Sequence, residues 1–336
     1  MVKREARVLD MTQGNVLKLI LLFSVPILIG NVFQQVYNLV DTFIAGRCLG
    51  DHGIAAMGAT SSINSMIIGF ASGICSGFAI LVAHAFGARE GLKRAVALMS
   101  AELFAVAIVF TALSLCFLRS LLSAMDTPAS IFDDAYTYIF VILAGIPVTL
   151  LYNYGACILR SLGNSRAPLF FLVIGCLVNI GLDVLLTGVL NWGIFGLGIA
   201  TVIAQFVSAV CSVVYLFVWY PEVRFSLSDL KAGARAYGDM FVTGFFMGAM
   251  TVIYDIGSVM LQSAINGLGD QVITAHTAAR KILSMLMQPL ITLGTACATF
   301  AGQNYGAKRY ARIQKGLLQT CLCSLVWSAV VFVVLL

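Results

Sequence analysis

Nine long apolar runs, separated by short polar turns, constrain this chain more than any other feature. They cover residues 17–40, 54–82, 95–118, 136–158, 167–189, 194–219, 238–265, 272–301 and 314–336. Each can cross the hydrocarbon layer of a bilayer, which needs about 20 apolar residues in a helix. Backbone groups left unpaired in lipid cost several kcal/mol each, so spans must be helices or closed strands, and runs without period-two alternation read as helices. Composition agrees, at 60% apolar and 10% charged, against roughly 45–50% and about 25% in soluble domains. The expected fold class is an all-α polytopic membrane protein. The first run is too long for the apolar core of a signal peptide and is followed at once by another, so it stays as a span.

Charge placement accounts for the net charge of +5 better than an acidic partner does. Lys3, Arg4, Arg7 and Lys18 precede or begin the first span; Arg89, Lys93 and Arg94 follow the second; Arg160 and Arg166 follow the fourth. Arg224, Lys231 and Arg235 follow the sixth, and Lys308, Arg309, Arg312 and Lys315 the eighth, while the intervening loops hold only Arg47 and Arg119. Positive charge on alternate loops orients the chain in a cell membrane with its N-terminus in the cytoplasm. A nucleic-acid partner is not expected. The nine cysteines lie almost all within spans and form no CxxC or Cys/His cluster, so they read as packing residues rather than metal ligands.

The chain also repeats itself. Residues 49–63 (LGDHGIAAMGATSSI) match 268–282 (LGDQVITAHTAARKI) at an offset of 219, and the same offset carries Phe86-Gly87-Ala88-Arg89 onto Tyr305-Gly306-Ala307-Lys308. Six spans separate the copies, so both run in the same direction. This is a parallel repeat about a pseudo-twofold axis along the membrane normal. The expected plan is two six-helix lobes: residues 1–219 as the N-terminal lobe, 220–237 as a cytoplasmic linker, and 238–336 as a C-terminal lobe truncated after its third helix. Ser65, Gly69, Gly73 and Gly77 recur every four residues, a pattern that lets helix backbones approach closely. Pro26, Pro147 and Pro289 fall inside spans, where a bend is expected.

Carboxylates within spans carry the functional signal, because a charge at mid-membrane costs about 2.5–3.5 kcal/mol on insertion scales. Asp41 closes a one-faced stripe with Gln34, Tyr37 and Asn38. Its bland alternative is an interfacial residue with Arg47 as a loose partner. Asn179 and Asp183 stand four residues apart in an otherwise apolar run, with no base nearby in sequence. Asp255 begins the stripe Asp255, Ser258, Gln262, Asn266, though Tyr254 competes with it for the cavity face. Arg280 and Lys281 lie in the first third of span eight, where long side chains either snorkel to the surface or turn inward.

The segments PILIGNVFQQVYNLVDTFIAGRCLG (26–50), VAHAFGARE (82–90), GNSRAPL (163–169), NIGLDVLL (179–186), GLGIATVIAQ (196–205), IGSVMLQSAINGLGD (256–270) and MQPLITLGTACATFAGQNYGAK (287–308) resemble the multidrug and toxic compound extrusion (MATE) transporters, closest to their bacterial MepA-like branch. The resemblance implies twelve helices in two lobes and export of small organic, often cationic drugs in exchange for Na⁺ or H⁺ by alternating access. It implies a cation-coupling site at Asp41, Asn179, Asp183 and Thr201. Gln34, Tyr37 and Asn38 would line a substrate cavity beside it; Asp255, Gln262 and Lys281 are the remaining cavity candidates. It implies a monomer in the lipid bilayer with no cofactor beyond the coupling ion and no enzymatic activity. Two rivals stand beside this reading. A flippase for a lipid-linked precursor calls for a markedly cationic cavity, and a membrane-embedded enzyme calls for HExxH, GxSxG or a His/Cys cluster, none of which occurs.

Overall fold

The computed structural model describes residues 8–125, 127–266 and 270–335, apart from several side chains between Val259 and Ala278. Among the described residues there is no strand. The helices are α1 (Val16–Ala88), α2 (Leu92–Ala124), α3 (Phe132–Ala144), α4 (Ile146–Ser161), α5 (Arg166–Asp183, continued by a wider π-type segment Val184–Val189), α6 (Gly193–Trp219), α7 (Ala234–Asn266), α8 (Asp270–Gly306) and α9 (Tyr310–Leu335).

The longest of these corrects a sequence expectation. Spans one and two were to be joined by a loop, yet helical structure runs on from Val16 to Ala88, broken only at Gly50 (φ 67°, ψ −159°). A straight helix of 73 residues is about 110 Å long, more than three bilayer cores. The chain instead reverses. Gly30 lies beside Leu169 and Leu172 while Asp41 reaches the far end of α5 at Asp183, so the first half of α1 runs with α5. Asn153 donates to Ser72 (3.2 Å) and Ser161 to the carbonyl of Ala79 (2.8 Å), so the second half runs with α4. α4 and α5 form a hairpin through the turn 162–165, so the halves of α1 are antiparallel. Ile54 folds back to within 2.8 Å of where a Cβ on Gly46 would sit, which places the reversal at Gly50. Glycine suits this site because the positive φ is open to it at no steric cost.

Seven helices are individually long and apolar enough to cross a membrane, and the pair α3–α4, bent by 43° at Gly145, makes an eighth span. Dividing α1 at Gly50 brings the total among the described residues to nine, at the positions of the nine apolar runs. The bend of the fourth span falls at Gly145, in the turn just before Pro147, where a proline disfavours continued helix and a bend was expected. Large apolar side chains such as Phe104 (69% exposed), Leu177 (67%) and Val333 (70%) face outward, a belt suited to lipid.

Around this bundle the repeat appears as paired contacts. α7 crosses the second half of α1 where Gly248 and Gly244 meet Gly73 and Gly77 backbone to backbone. The offset of 219 turns the Gly73 contact into one between Thr292 of α8 and the first half of α1, and there Asn31 donates to Thr292 (3.4 Å). Ile20, Phe23 and Ile27 of α1 bury against Leu293, Ala296 and Phe300 of α8. At the end of the molecule that carries the N-terminus, which we call basal, Gly87 approaches the carbonyl of Gln303 and its counterpart Gly306 approaches that of His84, itself the counterpart of Gln303. The two glycines thus make the same contact from opposite sides of the axis.

A Cβ on Gly87 would run into the Gln303 carbonyl oxygen, whereas one on Gly58 meets nothing within 4 Å. Gly87→Ala is therefore expected to cost about 1–3 kcal/mol, the usual range for overpacking, read as a lowered unfolding temperature of the purified protein in detergent. Gly58→Ala serves as the control and is expected to leave that temperature unchanged or slightly raised.

Candidate functional site

Three helices converge on two buried carboxyls. α1 supplies Tyr37 and Asp41, four residues apart on one face shortly before the Gly50 reversal. α5 supplies Asn179 and Asp183, also four residues apart, and Asp183 is its last regular residue before the π-type segment. Such wider turns often occur at functional sites. α6 supplies Thr201, whose hydroxyl donates to the carbonyl of Leu197 (3.0 Å) and accepts from Tyr37 Oη (3.5 Å). Asp41 is 7% exposed, Asn179 1% and Asp183 0%.

Asn179 binds the cluster together. Its neighbours fix the amide orientation: Nδ2 donates to Asp183 Oδ2 (2.9 Å) and to Asp41 Oδ1 (2.8 Å), while Oδ1 accepts from the backbone N–H of Thr201 (3.2 Å). The two carboxyls lie within hydrogen-bonding reach of each other, with the Tyr37 hydroxyl close to Asp41. Asp183 Oδ1 is buried with no partner. The ion pair seen among the described residues, Arg89–Asp10 at 3.7 Å, is at the surface far from this site, and no group of three or more His, Cys, Asp or Glu side chains stands ready for a metal. Two carboxylates at this separation and burial cannot both stay ionised and bare; one must carry a proton, or a cation must join them.

Tyr37, Asn179 and Thr201 are also a partition. On their other side lies a cavity of about 430 Å³ between α1, α4, α5 and α6, with Ile291 and Thr295 of α8 on its wall. Of the cavity candidates, Gln34 and Tyr37 line it. Asn38 is exposed and off the cavity, its carbonyl accepting from Thr42 (2.8 Å). Asp255 is not among the residues lining the cavity: its carboxylate packs 3.5 Å from the Cβ position of Gly69, against the second half of α1. Tyr254, its rival for that face, is 75% exposed. Lys281 is exposed and outside the cavity, while Arg280 turns inward to donate to Ser258. The side chain of Gln262 lies outside the described residues.

Sequence reasoning missed part of the wall. On α4, Thr149, Tyr152, Asn153 and Arg160 share one face and line the cavity; on α6, Gln205 and Ser208 continue the face that Thr201 begins. The 3.6-residue spacing of polar residues in both helices was the available signal. Thr149 donates to Gln205 across the cavity wall. Arg160, read from the sequence as a loop charge, is a lining residue.

A helical bundle with a repeat about one axis and a polar cavity inside one lobe is the build of a secondary membrane transporter. The MatE family model matches residues 26–185 and 245–336. The chain belongs to this family of multidrug efflux transporters. It is 28% identical to the probable multidrug resistance protein YpnP of Bacillus subtilis (strain 168), over 90% of this chain and 68% of that protein. It is 22% identical to the multidrug export protein MepA of Staphylococcus saprophyticus, over 79% of this chain and 59% of that protein. A solved structure of a MOP superfamily transporter from Pyrococcus furiosus Vc1 (DSM3638) superposes with a TM-score of 0.89 at 26% identity, covering 97% of this chain and 73% of that one. The chain thus spans 68% and 59% of the lengths of the two curated relatives.

Removing the bridging amide strands buried acceptors. Asn179→Ala is expected to destabilise the fold by about 1–3 kcal/mol. In a double-mutant cycle with Asp41→Asn the two losses are expected to couple by about 0.5 kcal/mol or more, measured by chemical unfolding in detergent; strict additivity counts against a shared network.

Proposed function

We propose that the protein exports small organic drugs, many of them cations, in exchange for Na⁺ or H⁺ by alternating access. The observation that carries this reading is the shared wall: the receptor for a cation and the cavity for a cargo are separated only by Tyr37, Asn179 and Thr201. The names of the relatives support the drug class of the cargo, and since those relatives are transporters, the reading assigns no chemical transformation.

The exchange follows from electrostatics. A proton shared between Asp41 and Asp183 lowers the charge of the pair from two to one and weakens the hold of the carboxylates on the Asn179 amide. Na⁺ needs oxygen ligands, so it requires the Asn179 amide to turn and present Oδ1. Either event changes the bonds of Asn179 to Thr201, and with them the wall of the cavity. Cation and drug then favour different shapes of one wall, and a ligand shifts such an equilibrium by its difference in affinity for the two states. An entering monovalent cation contributes about 2.3 kcal/mol per 100 mV of membrane potential, enough to concentrate a cargo severalfold. Arg89, Lys93 and Arg94 lie together with Arg166 and Lys308 at the basal end, and the positive-inside rule turns that end, with the N-terminus, to the cytoplasm.

Ethidium efflux from energised cells expressing the protein, under imposed Na⁺ or H⁺ gradients, tests this. Wild type is expected to export the dye under at least one gradient, and Asp183→Asn to lose gradient-driven export at unchanged membrane abundance. Normal export by Asp183→Asn removes the carboxyl pair from the mechanism.

A further inference from the structure

The cavity wall is built from neutral polar and apolar side chains with one exception. Among the described residues lining it, Arg160 is the single charged side chain. It stands at the basal end of α4, next to the turn that starts α5. It is only partly exposed, and its charge is close to Tyr152, Cys75 and Cys157. No carboxylate pairs with it, since the ion pair among the described residues is Arg89–Asp10, and no hydrogen bond from its guanidinium is present in that set.

An arginine offers five N–H donors in a planar fork that matches an oxyanion in two-point contact. Leaving that fork without a partner inside a membrane protein is costly unless something arrives to use it. Ser72, Ser76 and Ser165 line the same cavity and can add neutral hydrogen bonds to an anion. The opposite end of the cavity is bounded by Asn179 and Thr201, with the carboxyl pair immediately behind them. Between Ser165 and Asn179 the wall follows α5 for 14 residues, about 21 Å at 1.5 Å per residue. The cavity therefore has a positive end and an end backed by negative charge.

We propose that Arg160 is the anion-recognition residue of this cavity, and that the cargo it selects is an elongated zwitterion or organic anion carrying a carboxylate or similar oxyanion. The inference rests on the exporter reading and narrows its substrate class: the positive part of the cargo points toward Asp41 and Asp183, and its oxyanion sits on Arg160. A purely cationic cargo such as ethidium still meets the end backed by Asp41 and Asp183 but gains nothing from Arg160.

The test uses two dyes that differ at one group, tetramethylrhodamine, which carries a free carboxylate, and its methyl ester, which does not. Binding of each to the purified protein in lipid nanodiscs is read by fluorescence anisotropy. Wild type is expected to prefer the acid by about tenfold, the worth of one charge-assisted hydrogen bond. Arg160→Gln is expected to abolish that preference while leaving ester binding unchanged or tighter, and Arg160→Lys to keep part of it. Unchanged ester binding also shows that the variant is folded. Equal binding of acid and ester by wild type, or the same preference in Arg160→Gln, overturns the proposal and leaves the exporter reading standing. Binding of neither dye by wild type overturns both.

Discussion

Two carboxyls held together by one amide, out of reach of water, are the constraint on which the rest of the molecule depends. Asp41 and Asp183 come from helices far apart in sequence, and Asn179 touches both. Such a cluster is unstable as a pair of bare anions. It must hold a positive charge or change shape, and on the proposed reading that requirement is how the protein senses a cation gradient. The partnerless oxygen of Asp183 marks where the arrangement is least satisfied. The unusual local backbone gathers here too: the reversal at Gly50 follows Asp41, and the π-type segment follows Asp183.

The same helix carries the signal outward. The first half of α1 presents Tyr37 and Asp41 to the site, and about three to six turns earlier presents Ile20, Phe23 and Ile27 to α8. Pro26 lies next to Ile27, at the end of the apolar set nearer the site, and removes one backbone hydrogen bond from the helix. A change of charge at Asp41 therefore acts on a helix that is locally weakened and packed against the repeat-related group. Across the axis, α7 meets the second half of α1 through glycine backbones, and Gly87 and Gly306 close the basal end symmetrically. Contacts between backbones leave little interdigitation of side chains to resist sliding, which suits the proposed rocking of one group against the other.

Much of this was legible in the sequence, because the bilayer makes the rules strict. Nine apolar runs became nine spans, and the offset of 219 that relates Gly87 to Gly306 reappears as mirrored contacts between those residues. Asn179 and Asp183 were legible as a pair because four residues is one helical turn. What failed was anything that depends on a neighbouring helix. Helical period tells which side chains share a face, not what the face meets, so Asp255 with its polar stripe stood as a cavity candidate beside Tyr254 yet packs beside Gly69. Arg160 looked like one more basic loop residue, and only the hairpin of α4 and α5 turns it into the cavity. The Leu49-Gly50-Asp51 sequence reads as a loop, whereas one glycine with positive φ suffices to reverse the chain between two helices.

Direct titration of the carboxyl pair bears most closely on this account. Radioactive Na⁺ binding to the purified protein, measured by scintillation proximity across a pH series, reports whether Na⁺ and H⁺ contend for one place. If the buried pair accepts a single positive charge, bound Na⁺ falls as protons are added, with about one proton displacing one ion, and Asp41→Asn abolishes the competition. Na⁺ binding that is independent of pH, or that survives unchanged in both Asp41→Asn and Asp183→Asn, contradicts it.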